Sequence, residues 1–160
     1  MQSYEVILTR TKPEVSFGYT KIHVYQPSEL ESGQVGYSIS PNGVRLTGDD
    51  DGDWRESWLV IGYDETCGDP IFIDTSKNGY PVYTAIMGMG RWDPKPVAVS
   101  LDAFAHSLSA IAAVAHGREN PVLLEQNPLT ESDKKALLAT IRICNLGMDV
   151  SYWEAILSNS

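Results

Sequence analysis

Positive charge is scarce in this chain. Its 160 residues hold 12 Lys and Arg against 21 Asp and Glu, a formal net charge of -9. The isoelectric point is about 4.7. A surface built to grip phosphates carries the opposite sign, so direct nucleic-acid binding is excluded as the main task. An anionic membrane surface is disfavoured on the same ground. Long apolar runs are absent too, and nothing approaches the ~20 residues that a bilayer-spanning helix needs. The opening, Met1 to Arg10, has no basic stretch followed by an apolar one, so no secretory signal is expected. Cysteine is limited to Cys67 and Cys144, with no CxxC spacing. Two reduced thiols in a cytoplasmic protein are the expectation, and a chain of this size can fold on its own core without a staple.

With 42% hydrophobic and 21% charged residues the composition is that of a globular protein, and the length suits one domain. Its first two thirds read as strand and turn. Short β-rich runs cover Tyr4–Thr9, Lys21–Tyr25 and Gln34–Ser40, and Val44–Leu46 completes a hairpin around Pro41, Asn42 and Gly43. Trp58–Tyr63 is nearly continuous in apolar residues, which predicts burial on both faces and a central position. Ile71–Ile73 is its return strand, and Val82–Met87 follows the Asn78-Gly79 turn. Gly88 to Pro96 reads as a loop, with a last short strand at Val97–Val99.

The last third reads as helix. Ser100 is a predicted N-cap ahead of an apolar stripe at Leu101, Phe104, Leu108, Ile111 and Ala115, with Gly117 as the stop. Asn120–Pro128 reads as a linker, and Thr130 opens a second helix with Leu137, Leu138 and Ile141 inward. Ser151 and Glu154 have capping-box spacing for a third. The expected class is α+β, an antiparallel sheet meander covered on one face by C-terminal helices.

Motifs for bond-making chemistry fail on spacing. Asp49, Asp50, Asp51, Gly52 and Asp53 look like part of a calcium loop, but the closing glutamate and flanking helices are missing. Gly88-Met89-Gly90 starts a dinucleotide fingerprint, yet Asp93 occupies the third glycine's place and no βαβ unit surrounds it. His106 and His116 share one expected helix without i,i+4 spacing, and HExxH is absent. No catalytic residues, metal ligands or cofactor are expected.

What stands out is where the acids lie. Between Asp49 and Asp74 the only base is Arg55, against Asp49, Asp50, Asp51, Asp53, Glu56, Asp64, Glu65, Asp69 and Asp74. Nearly all of the net charge therefore sits in one stretch. Acidic turns keep proteins soluble, and that alone accounts for many of them. The functional alternative is an acidic surface that steers a basic protein partner, such as a nuclease, into contact. If neighbouring strands pair, the turns Asp49–Asp53 and Asp64–Asp69 are expected at opposite ends of the strand between them. Trp54 and Trp92 flank polar loops, where they either anchor loop to sheet or supply apolar contact to a partner.

The run Trp58-Leu59-Val60-Ile61-Gly62, then Gly68-Asp69-Pro70-Ile71-Phe72 and Asp74, then Pro81-Val82-Tyr83, Gly88, Gly90, Trp92 and Ala98–Phe104, resembles the SUKH superfamily. That superfamily includes many bacterial toxin-immunity proteins and the yeast regulators of cell-wall assembly. The resemblance covers about half of the chain. It implies a single non-enzymatic α+β domain that acts by binding, with Trp58, Gly68, Asp69, Asp74 and Gly88 shaping the sheet and its turns. Family members usually open with a helix, whereas residues about 1–30 here read as strands, and a helical extension covers about 118–160. The expected function is a toxin-neutralising immunity protein with a partner-binding face at Asp49, Asp50, Asp51, Asp53, Trp54, Glu56, Asp64, Asp69 and Trp92. The alternatives are a regulatory scaffold for a cellular partner, or a small-molecule-binding or hydrolytic domain at Gly88–Asp93.

Overall fold

Tight turns between apolar runs favour antiparallel neighbours, and the strands follow that rule. The computed structural model describes residues 2–158. Its strands are β1 (Glu14–Phe17), β2 (Thr20–Val24), β3 (Trp58–Asp64), β4 (Pro70–Asp74), β5 (Val82–Gly88) and β6 (Arg91–Ala98). They form one antiparallel meander in chain order. The helices are α1 (Tyr4–Arg10), α2 (Leu30–Gly33), α3 (Leu101–Ala115), α4 (Pro121–Gln126), α5 (Glu131–Cys144) and α6 (Ser151–Ser158). The class is α+β, as expected from the patterning.

β3 is interior to the sheet and supplies both of its faces. Ile61 joins Ile22, Ile71, Ile73 and Val82 in a core shared with Leu8, Leu101, Phe104, Leu108 and Trp153 from the helices. Val60 faces the other way, into a cluster with Trp54, Phe72 and Ala85. Gly62 lies where the backbone of β2 comes close: a Cβ there would meet the His23 carbonyl oxygen at 2.1 Å. Beyond the end of β2 the Gln34 amide continues the ladder. Its Oε1 accepts from the Val60 N–H at 2.9 Å and its Nε2 donates to the Val60 carbonyl at 2.8 Å, so β3 has no orphaned edge there.

Several local expectations are corrected. Tyr4–Thr9 is not a strand but the core of α1, capped by the Ser3 hydroxyl. Tyr4, Ile7, Leu8 and Thr11 turn inward at i, i+3, i+4 and i+7, a helical period that outweighs the β propensity of the individual residues. Gln34–Ser40 and Val44–Leu46 form no strands. Isolated bridges, Val35 with Ile39 and Ile39 with Arg45, and backbone hydrogen bonds from Ser40 to Val44 and from Leu46 to Ser38 keep the hairpin turn without a strand. Where β3 runs past the end of β2 the Gln34 amide takes its edge, and the rest of the segment lies across the sheet face instead of joining a strand.

Gly88–Pro96 is not a loop. Met89 and Gly90 make a two-residue turn, and β6 runs through both prolines. Trp92 points its N–H away from β5, to the Gly52 carbonyl at 2.9 Å. Pro94 and Pro96 are in phase with it, so their missing donors fall on the outer edge of the sheet, where they also discourage pairing with other chains. The stretch read as a linker contains α4, started by the Asn120 side chain and Pro121. α6 begins at Ser151, but no capping box forms: Asp149 accepts the Ser151 N–H, and Glu154 pairs instead with Arg142 at 3.1 Å.

The helical layer is tied to the sheet by buried polar groups. The Trp153 indole donates to the Val97 carbonyl at 2.8 Å. Asn145, 1% exposed, accepts the Val99 N–H and donates to the Ser107 hydroxyl and the Ile141 carbonyl. It thus joins the end of α5 to α3 and to the β6–α3 junction. Truncation strands these partners in a dry site, so Asn145→Ala is expected to cost about 3 kcal/mol in urea unfolding. Arg142→Ala, which removes an exposed pair with Glu154, is expected to cost less than about 1 kcal/mol.

Candidate docking surface

Residues 34–57 hold no strand and no long helix, yet they cover the sheet face opposite α3 and α5. Their anchor is Trp54, 2% exposed. Its ring centroid lies 4.7 Å from Phe72 and 5.2 Å from each of Tyr37, Trp58 and Trp92. Its Nε1 donates to the Trp58 carbonyl at 3.3 Å. Trp54 is therefore a packing anchor and not a contact for a partner. Its expected place on the partner-binding face is corrected, because the indole is enclosed by other aromatic rings. Trp92 is half-buried beside it.

Trp54 sits midway along a segment that crosses the sheet. Gly52 is bonded to Trp92 near the β5–β6 turn, whereas Trp58 starts β3 at the level of Asp74, the far end of β4. The acidic turn at Asp49–Asp53 is thereby brought to the end of the sheet from which the β5–β6 turn projects. Alternate connections in a meander share an end, so the β3–β4 turn, with Asp64 and Asp69, projects there too. The two acidic turns do not lie at opposite ends, because the chain crosses the sheet after Gly52 and turns at Arg55–Trp58 before β3 begins. They are separated laterally, one at the β3–β4 connection and one against the tip of β6. Glu56 is apart from both: it lies near the opposite end, paired with Arg45 at 2.9 Å.

The carboxylates differ in what they do. Asp49, Asp50 and Asp51 are exposed, and Asp51 pairs with Arg91. Asp53 turns back to accept the Asp50 N–H at 3.0 Å, closing the turn. Asp64 accepts the Thr66 N–H at 2.9 Å, and Glu65 pairs with Lys21 at 3.1 Å. At the opposite end Asp74 is 7% exposed. Burial by itself would raise its carboxyl. The Ser76 hydroxyl and amide, the Ser57 hydroxyl and Lys77 outweigh that and hold it below the usual carboxylate range. Asp74 fastens the turn after β4. Among the described residues no three His, Cys, Asp or Glu side chains converge as a metal-binding group, and no helix is long and apolar enough to cross a membrane.

Cys67 lies in the β3–β4 turn. Burial, with the Asp64 and Asp69 carboxylates beside it, pushes its thiol up to about 11. An activated nucleophile requires the opposite shift. Cys67 and Cys144 are both free thiols.

At the β5–β6 tip the sequence singled out Trp92 and the Gly88–Asp93 segment but not the exposed apolar side chains beside them. Ile86, Met87 and Met89 are exposed, Met89 completely. An open groove of about 460 Å³ runs beside them. The signal was present in Pro94 and Pro96, whose two-residue spacing puts both on one edge of a strand and turns Met89-Gly90 into a hairpin tip. No protein-family model, curated protein or solved structure matches this chain.

Trp54→Ala is expected to destabilise the fold by about 3–5 kcal/mol and to open residues 34–57 to proteolysis before the helical side; equal protection of both regions would refute the anchor role. At about pH 8, where free cysteine is appreciably ionised, Cys67 is expected to alkylate more than about tenfold slower than free cysteine. The high thiol value means that the rate climbs only as the pH nears 11. Peptide-level mass spectrometry reads it.

Proposed function

We propose that this chain is a non-catalytic binding domain of the SUKH kind, an immunity protein that docks and neutralises a basic toxin, with a nuclease as the natural candidate. The observation that carries the reading is the gathering of the exposed Asp49, Asp50 and Asp51 with the β3–β4 turn at one end of the sheet. Carboxylates that share an end add their fields, and the sum steers a basic surface toward that end and fixes its orientation. The opening helix α1 also supports the resemblance, since SUKH members usually begin with one. Gly68 and Asp69 in the β3–β4 turn, and Asp74 at the end of β4 bonded to Ser76, lend the resemblance further support.

The test uses the product of the adjacent gene, purified in inactive form and titrated with the intact chain. Binding that weakens steeply with salt, together with protection of cells that express the active toxin, is the expected result. Asp49→Asn, Asp50→Asn and Asp51→Asn combined leave the fold intact, because Asp53 remains to close the turn. They are expected to slow association by about tenfold at low ionic strength, with the gap closing at high salt. Equal association of the neutralised and native chains at low salt would overturn the acidic-face reading.

A further inference from the structure

Among the described residues, Tyr80 and Met89 are the non-glycine residues at positive φ, 56° and 53°. That region is unfavourable for an L side chain, and structures tolerate it where something else is gained. For Tyr80 the gain is internal. Its ring packs edge-on against Tyr4 at 5.6 Å and rests on the helix-side core. Met89 gains nothing from the fold, since it is 101% exposed. With Gly90 at 75° it forms a two-residue turn with both central residues at positive φ, a type I′ turn, whose first place suits Asn or Gly. Here that place holds a long apolar side chain standing entirely in water.

Its neighbours on β5 are exposed too, Ile86 54% on one face and Met87 49% on the other. The groove of about 460 Å³ beside them is lined by Ile86, Met89, Trp92 and Pro94, with Asp51 and Asp93 at its rim. Asp49 and Asp50 stand exposed on the adjoining turn. Two cations on this rim are already engaged, Arg91 with Asp51 and Lys95 with Asp93 at 3.1 Å.

We propose that the β5–β6 tip is the anchor of the interface, with Met89 inserting into an apolar pocket on a basic protein while Asp49, Asp50, Asp51 and Asp93 engage the Lys and Arg around that pocket. An unbranched thioether adapts to pockets that a stiff side chain cannot enter. The surrounding carboxylates select the occupant. A second copy of this tip would bring like charges together, and an anionic membrane would be repelled, whereas a basic rim around an apolar pocket satisfies both the charge and the methionines. The inference rests on the basic-partner reading and states where the desolvated contact is made.

Met89→Asn is the deciding substitution because asparagine suits the turn. The variant is expected to melt no lower than the native chain, so a loss of binding is not a loss of fold. Against the inactive product of the adjacent gene, Met89→Asn is expected to bind about tenfold or more weaker, through faster dissociation. The aspartate substitutions act on association instead, which separates the anchor from the steering charge. Equal affinities for native chain and Met89→Asn would overturn the anchor and leave the basic-partner reading standing. Failure of the native chain to bind that product would overturn the basic-partner reading. The tip is then read directly by selecting displayed peptides on the intact chain. Peptides with an apolar residue between Lys or Arg that bind the native chain and lose Met89→Asn support it, and peptides that bind both alike overturn it.

Discussion

A sheet with two apolar faces must be covered twice, and here one of the covers is held by a single indole. The helices bury one face as amphipathic elements ordinarily do. The other face carries Trp58, Val60, Phe72, Tyr83 and Ala85, and is closed by a segment with almost no regular structure of its own. Such a segment loses backbone entropy without a ladder of hydrogen bonds in return. The offset is aromatic burial: Trp54 meets four rings within about 5 Å, and Gln34 pairs with the β3 backbone.

The path of that segment sets the electrostatics. Had the chain entered β3 straight from the acidic turn, the two acidic turns would stand at opposite ends of the strand, with their fields divided. Because the chain crosses the sheet between Gly52 and the Arg55–Trp58 turn first, the acidic turn is carried to the β5–β6 tip. The meander then places the β3–β4 turn on that same end. The helical side is different in kind. There Lys134 faces Glu131, and Arg142 faces Glu154, so the charges largely cancel. Negative potential is a property of one end of the molecule, and the exposed methionines lie at that end.

Much of this was legible. The interior strand at Trp58–Tyr63, its return strand around Ile71–Ile73, the Ser100 cap, the helix opened at Thr130 and the stripe of α3 follow from residue types and spacing, and all appear where expected. The misreadings share a cause: local propensity was followed where a longer period or a neighbour decided the outcome. Tyr4–Thr9 is rich in β formers, but its inward residues repeat at helical spacing. Gln34–Ser40 alternates like a strand, but the sheet's open edges belong to β1 and β6, and this segment lies across a sheet face instead. The prolines of β6 suggest a loop until their two-residue spacing is set against an outer edge that needs no donors.

Turn chemistry, hydrophobic period and charge are local properties of the chain, and they were enough to give the α+β class, the antiparallel run β3–β4–β5 and the concentration of acids in one stretch. The enclosure of Trp54, the exposure of Met89 and the meeting of the two acidic turns at one end arise in the folded arrangement. Those outcomes depend on which face a segment crosses and which edge is already occupied, and such choices are made between residues far apart in the chain.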